Sequence, residues 1–199
     1  MDADEEAQTP ARPGRPRSTV AHQAIVDATV DLLTTDGYQA LSFEAVAARA
    51  GVGKRTIYRR WKSKGALVGA AYTEMVQRRH PDPDTGDAVK DLRLLLRRLF
   101  TSVQAPGVTA ALRSMVAEAQ LDPDFATELR RFVESRREVV RTILRRGIER
   151  GQLRADLDPD TAIDLVFGPY WYRLLIAHAP LDSRFAATLV DHMLRGIGQ

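Results

Sequence analysis

The sequence predicts an all-α protein of two unequal parts. Three observations carry this reading. Apolar residues recur at three- and four-residue spacing through most of the chain. No stretch alternates apolar and polar residues for long enough to make a useful strand. Gly, Pro, Ser and Asp stand where helices of that spacing would start and stop. The chain has 199 residues, 44% of them hydrophobic, enough to bury a real core.

The elements follow in order. Residues 1–17 lack apolar periodicity and are rich in Pro, Gly and charge, the composition of a disordered arm. Ser18 or Thr19 can cap a first helix with Ile25, Ala28, Leu32 and Leu33 on one face, and Gly37 stops it. Ser42 caps a short second helix through Arg49, and Gly51-Val52-Gly53 makes a tight turn. A third helix runs from Lys54 to about Trp61. Ser63 caps a fourth, reaching about Arg79, with Val68, Ala71, Tyr72 and Met75 in one stripe. The breaker His80-Pro-Asp-Pro-Asp-Thr-Gly86 then sets the boundary between a part at 18–79 and a part at 80–199.

Beyond it, Val89, Leu92, Leu96, Leu99 and Val103 mark a helix, and Pro106-Gly107 interrupts. Residues 108–119 form a short helix with Leu112, Met115 and Val116. Asp122-Pro123 opens a long one, with Leu129, Phe132, Val139 and Ile143 inward, and Gly151 ends it. Asp158-Pro159 joins an N-cap to a proline at the first helical position and opens a helix to about His178. Pro180 and Asp182 precede the last helix, which has Phe185, Leu189 and Met193 in line.

Several classes of chemistry are excluded. There is no cysteine, hence no disulfide, thiolate metal site or cysteine nucleophile. His22, His80, His178 and His192 are scattered without ligand spacing, so no metal and no cofactor are expected. Gly51-Val-Gly-Lys54 looks like the end of a phosphate-binding loop. Ala48 stands where its first glycine belongs, and Arg55 where a magnesium-binding hydroxyl is required. Asp156, Asp158 and Asp160 read as turn and cap chemistry rather than catalytic carboxylates. No signal-peptide pattern opens the chain and no apolar run approaches a membrane span; the expectation is a cytoplasmic protein that is not an enzyme.

Net charge is only +3, but it is unevenly spread. Residues 1–11 hold four acids and no Lys or Arg. Residues 12–64 hold ten Lys/Arg against four acids, and residues 65–199 nineteen against eighteen. The basic excess sits in one N-terminal block, where a polyanion would be met.

That block contains Phe43-Glu-Ala-Val-Ala-Ala-Arg-Ala-Gly-Val-Gly-Lys-Arg-Thr-Ile-Tyr-Arg-Arg-Trp61. A helix-turn-helix needs two short helices with small residues at their crossing and a glycine in the turn. Val46, Ala47, Ala50, Val52 and Ile57 supply the contact and Gly51 the turn. Lys54, Arg55, Thr56, Tyr58 and Arg59 then lie near the start and outer face of the second helix, groups that reach bases and phosphates in a major groove. With Gly37-Tyr38, Leu41-Ser42-Phe43, Thr56-Ile57-Tyr58 and Trp61-Lys62-Ser63-Lys64, residues 18–75 resemble a TetR-family DNA-binding domain. The resemblance implies phosphate contacts from Tyr58, Lys64 and Ser42, beside the basic Lys62. Gly53 departs from the family, which commonly has a serine cap there. In the arm, Arg15 and Arg17 within Pro13-Gly-Arg-Pro-Arg17 suit a narrow minor groove, against the alternative of a solvated tail.

The second part resembles the same family in layout only. Its helix from Pro159 is apolar nearly all round, so it must be covered on two sides, one of them by a second copy of the chain. The expected dimer interface is Phe167, Trp171, Phe185, Leu189 and Met193. Proline at Gly168-Pro169 should kink that helix. An effector cavity is expected among residues 89–175, with Phe100, Leu112, Met115, Phe132, Phe167, Tyr170 and Tyr172 as candidate lining. No charged residue is stranded on an apolar face, which favours a small apolar or aromatic effector. The reading is a ligand-relieved repressor that binds a palindromic double-stranded DNA operator as a homodimer. The alternative is a constitutive DNA-binding protein without an effector.

Overall fold

The structure is a computed structural model that describes residues 16–197, with side chains from Thr19 to Arg195. Among the described residues there are ten helices and no strand. The N-terminal five are α1 (Pro16–Thr35), α2 (Gly37–Ala40), α3 (Phe43–Ala50), α4 (Lys54–Arg60) and α5 (Lys64–Arg79). Then follow α6 (Ala88–Ser102), α7 (Val108–Ala119), α8 (Pro123–Glu149), α9 (Pro159–Ile176) and α10 (Ser183–Ile197).

Most helix starts are fixed by side chains that accept an otherwise orphaned amide. Ser42 accepts from the Ala45 N–H at 3.1 Å and Ser63 from Ala66 at 3.1 Å. Asp158 accepts from Thr161 at 2.7 Å and Asp182 from Phe185 at 2.8 Å. Each such cap is worth about 1 kcal/mol. Two details differ from expectation. Helix α1 already includes Pro16 and Arg17, so neither Ser18 nor Thr19 caps it; a proline is well suited to a first helical turn. And Gly37, with φ 81°, stops α1 only to start the single turn of α2, which is too short to show periodicity.

One apolar core runs the length of the molecule. Helix α5 lies between α1 and α8, burying Leu67, Val68, Ala71, Tyr72 and Met75. Helix α7 packs on α8 and also meets α1 and α2. Helix α9 continues through Pro169 as one helix. Its inner face buries Ala162, Ile163, Val166, Tyr170 and Leu174, while Leu165, Tyr172, Leu175 and Ile176 stay exposed. One charge is stranded, contrary to expectation: Asp91 of α6 is buried. Its Oδ1 accepts from the Thr85 amide at 2.9 Å and hydroxyl at 2.8 Å, and its Oδ2 has no hydrogen-bond partner among the described residues. The sequence stripe missed it because Asp91 serves the 80–87 segment rather than the helix.

Candidate nucleic-acid interface and effector cavity

Helices α3 and α4 meet through the buried Val46, Ala47 and Ile57. Gly51 closes α3 with φ 65°, and its N–H returns to the Ala48 carbonyl. A residue with a Cβ is strained in this left-handed conformation, so the glycine supplies the turn. Gly53 stands at the N-cap of α4 with extended backbone and no side chain to cap with; the helix forms without one.

One face of α4 is left open. Lys54, Arg55, Tyr58 and Arg59 are exposed, Lys62 just beyond is exposed, and Thr56 and Ser42 are half-buried at its margins. Arg55, Arg59 and Lys62 have no hydrogen-bond or ion-pair partner among the described residues. Tyr58 is 51% exposed, with its ring edge on Phe43 at 4.7 Å. Its hydroxyl donates to Glu44 at 3.3 Å, and the same carboxylate pairs with Lys54 at 3.3 Å. The backbone amide of Glu44, and next the Lys54 ammonium, hold that carboxyl below the usual range, so it is ionised at neutral pH. Trp61 is a core residue, buried and stacked on His22 at 5.7 Å.

A cavity of about 90 Å³ opens between α5, α6, α7, α8 and α9. Its walls are chiefly apolar: Met75, Val76, Leu95, Leu99, Val108, Leu112, Phe132, Val133, Phe167 and Trp171. Tyr72 and Tyr170 line it as well, and burial pushes both phenols well above their usual range, so both remain O–H donors. Its polar residues are Arg79, His80, Arg98, Ser102 and Arg136.

Residues 25–71 match the sequence family of bacterial regulatory proteins, tetR family, and residues 82–193 match the tetracyclin repressor-like C-terminal domain. This chain belongs to the TetR family. It is similar to the HTH-type transcriptional regulator YdeS of Bacillus subtilis (strain 168), 36% identical over 188 residues that cover 92% of this chain and 93% of YdeS. Among solved structures it is similar to the TetR family transcription regulator SCO0332. The identity there is 36% and the TM-score 0.78, with 90% of this chain and 99% of that one covered. FadR from Bacillus subtilis, solved in complex with stearoyl-CoA, shares the fold at a TM-score of 0.69. Its identity is 18%, over 88% of this chain and 99% of FadR. Like its TetR-family relatives, the chain is a DNA-binding transcriptional regulator. No described helix is long and apolar enough to cross a membrane.

Of the residues expected to meet DNA, Lys54, Arg55, Thr56, Tyr58 and Arg59 lie on α4, Lys62 just after it, and Ser42 at the N-cap of α3. Lys64 opens α5; its ammonium donates to the Tyr38 carbonyl at 2.8 Å and sits 4.1 Å from the Tyr38 ring centroid. Burial holds Lys64 below the usual lysine range, with Glu118 pulling the other way. Arg15 and the side chain of Arg17 lie outside the described residues.

In the second part the candidates separate differently than the sequence suggested. Leu112, Phe132, Phe167 and Tyr170 line the cavity, whereas Phe100 and Met115 are wholly buried behind it. Tyr172 is 59% exposed and faces out. The residues expected at a dimer interface are half-buried or buried in the single chain. Phe167 and Trp171 line the cavity, Met193 is buried, and Phe185 packs on Phe100 at 5.6 Å with the Arg173 guanidinium 3.2 Å from its ring centroid. Leu189 is half-buried against the core.

Proposed function

We propose that this regulator binds a short inverted repeat in double-stranded DNA as a homodimer, represses from it, and lets go when a mostly apolar small molecule fills the cavity. The observation that carries this is the placement of α5. Its first turn, at Ser63 and Lys64, follows directly on α4, and its second half supplies Tyr72, Met75, Val76 and Arg79 to the cavity wall. A ligand that shifts α5 moves the α4 helix with it. In a dimer, a few ångströms between the two α4 helices spoil their register with successive major grooves, about 34 Å apart. Such coupling is typically worth about 1–3 kcal/mol.

The second copy of the chain covers the outer face of α9. Leu165, Tyr172, Leu175 and Ile176 form an exposed apolar stripe at helical spacing, and a two-fold pair of such stripes pairs each face with itself. A two-fold protein then reads a two-fold site. FadR, of the same fold, is solved with stearoyl-CoA, which supports this architecture as a host for a molecule with a long apolar chain.

The cavity-filling substitution Leu112→Trp tests the reading without knowledge of the effector. With an operator isolated by selection from random DNA, the variant should bind about fivefold or more weakly than the parent protein, while helix content and dimer mass stay unchanged. Parental affinity in a folded Leu112→Trp dimer would instead favour a constitutive DNA-binding role.

A further inference from the structure

The polar end of the cavity has a composition that an uncharged ligand would not need. Three guanidinium groups come to it from three helices: Arg79 from the last turn of α5, Arg98 from α6 and Arg136 from α8. All three act on the His80 imidazole, which burial and then their charges hold below the usual histidine range. Of the three, only Arg136 is ion-paired among the described residues. Its side chain is 13% exposed, and Asp82, itself 62% exposed, lies 3.4 Å away. Arg98 donates to the Pro81 carbonyl at 2.8 Å, and Arg79 has no hydrogen-bond or ion-pair partner among the described residues.

Two phenols extend this cluster into the cavity. Tyr72 and Tyr170 are only 4% and 3% exposed, yet neither hydroxyl has a hydrogen-bond partner among the described residues. Both line the same cavity as Arg79, Arg98 and Arg136. Neither hydroxyl oxygen is sealed in the core, so both are open to a ligand in the cavity. A plain surface reading accounts for Arg79 alone, because a cation suits the C-terminal end of α5. Arg98 and Arg136 lie within their helices; each also touches the 80–87 segment, through Pro81 and Asp82, and both still line the cavity.

We propose that the effector is an amphipathic anion: an alkyl or aryl body lies in the apolar part of the cavity, and a terminal carboxylate or phosphate is held by Arg79, Arg98 and Arg136. This rests on the effector reading above and names the ligand class. A guanidinium fork matches the paired oxygens of either group, and the bonds are charge-assisted. The Tyr72 and Tyr170 hydroxyls donate to the same anionic end or to a polar atom next to it. An uncharged ligand of the same shape would leave these charge-assisted bonds unmade.

Calorimetric titration of the full-length protein with decanoate, decyl phosphate and decanol tests this. At least one of the two anions should bind about tenfold or more tightly than decanol, the factor expected for a charge-assisted hydrogen bond. The stronger of the two identifies the head group. In the Arg98→Gln/Arg136→Gln variant that preference should fall toward one, with decanol affinity unchanged; Tyr72→Phe, which leaves the charges in place, should reduce it only in part. Equal affinity for decanol, or a preference that survives in the folded double variant, overturns the anionic end. If decanol also releases operator, the effector cavity stands without it. Binding of none of the three likewise overturns the proposal, and the effector reading is then decided by Leu112→Trp.

Discussion

Gly107 and Thr34 join the two parts of the molecule at a contact with no room for a side chain. Gly107, just before α7, has φ 77°, and a Cβ placed on it would overlap the Thr34 carbonyl near the end of α1. Helix α7 continues from there into the cavity wall with Val108 and Leu112. The contact is reinforced where Gln39 donates to Glu118 at 2.7 Å. The cavity therefore touches the DNA-binding helices by two routes, through α5 in the chain and through α7 against α1.

Gly107→Ala should be more destabilising than Gly86→Ala. Both glycines have positive φ, but a Cβ at Gly86 meets only open space. The left-handed conformation alone costs about 1 kcal/mol, and the overlap with Thr34 should bring Gly107→Ala to about 2 kcal/mol or more. Urea unfolding of the two variants reads the difference directly. Equal losses would mean that α7 can retreat from α1 without cost.

Glu44 is the acid beside the open face of α4. It engages both Lys54 and the Tyr58 hydroxyl, two groups that a phosphate would otherwise occupy. Glu44→Gln should strengthen binding to all DNA sequences several-fold, with the larger gain at low salt, because one negative charge leaves the interface. The pH sign is consistent. The Glu44 pKa is lowered in the folded protein, so its pairing is present above the ordinary carboxylate range and is lost as pH falls through the lowered value. Fluorescence anisotropy at two salt concentrations measures the effect. Unchanged affinity at low salt would place Glu44 outside the contact.

The outer face of α9 gives a third. Leu175→Glu and Tyr172→Glu should yield monomers in sedimentation, with operator binding weakened by about a hundredfold or more, because a single half-site forfeits most of the dimer's contacts. Phe167→Glu, by contrast, should remain dimeric, since Phe167 faces the cavity. A dimeric Leu175→Glu protein would move the interface elsewhere.

These expectations show where the sequence was informative and where it was not. Helices α3 to α5 were legible because their signals are local: the Ser42 and Ser63 caps, Gly51 in the turn, and small residues at the crossing. The exposed row on α4 followed from the same pattern. The face of α9 did not, because a helix that is apolar all round has no periodicity to say which side meets its own core. Phe167 was therefore assigned to both the cavity and the outer face, Trp171 to the outer face and Tyr172 to the cavity, whereas Phe167 and Trp171 line the cavity and Tyr172 is exposed. The arginine cluster was invisible for a different reason. Arg79, Arg98 and Arg136 are far apart in sequence, each ordinary on its own helix, and only the packing of α5, α6 and α8 brings them to one cavity.

The last expectation separates the two kinds of work on α4. Arg55 is exposed in the first turn of the helix, without a hydrogen-bond or ion-pair partner among the described residues, where a guanidinium can reach two acceptors on one base edge. Tyr58 and Lys62 lie further along, and Tyr58 is braced by Phe43 so that its hydroxyl is held at the surface. A braced single donor suits a phosphate better than a base, since it offers position rather than a pattern. Arg55→Ala should therefore cost about 1–3 kcal/mol on the selected operator, and the loss should be confined to one base pair of each half-site. Tyr58→Phe and Lys62→Ala should weaken binding to operator and unrelated DNA alike. Lys62→Ala should also lower the slope of log affinity against log salt by about one per site, as one fewer phosphate is neutralised, whereas Tyr58→Phe removes no charge and should leave the slope alone. Competition assays on single-base operator variants, repeated across salt, distinguish these outcomes. If Arg55→Ala instead lost affinity evenly over all sequences, Arg55 would be a phosphate contact, and base reading would have to come from Lys54, Thr56 or Arg59.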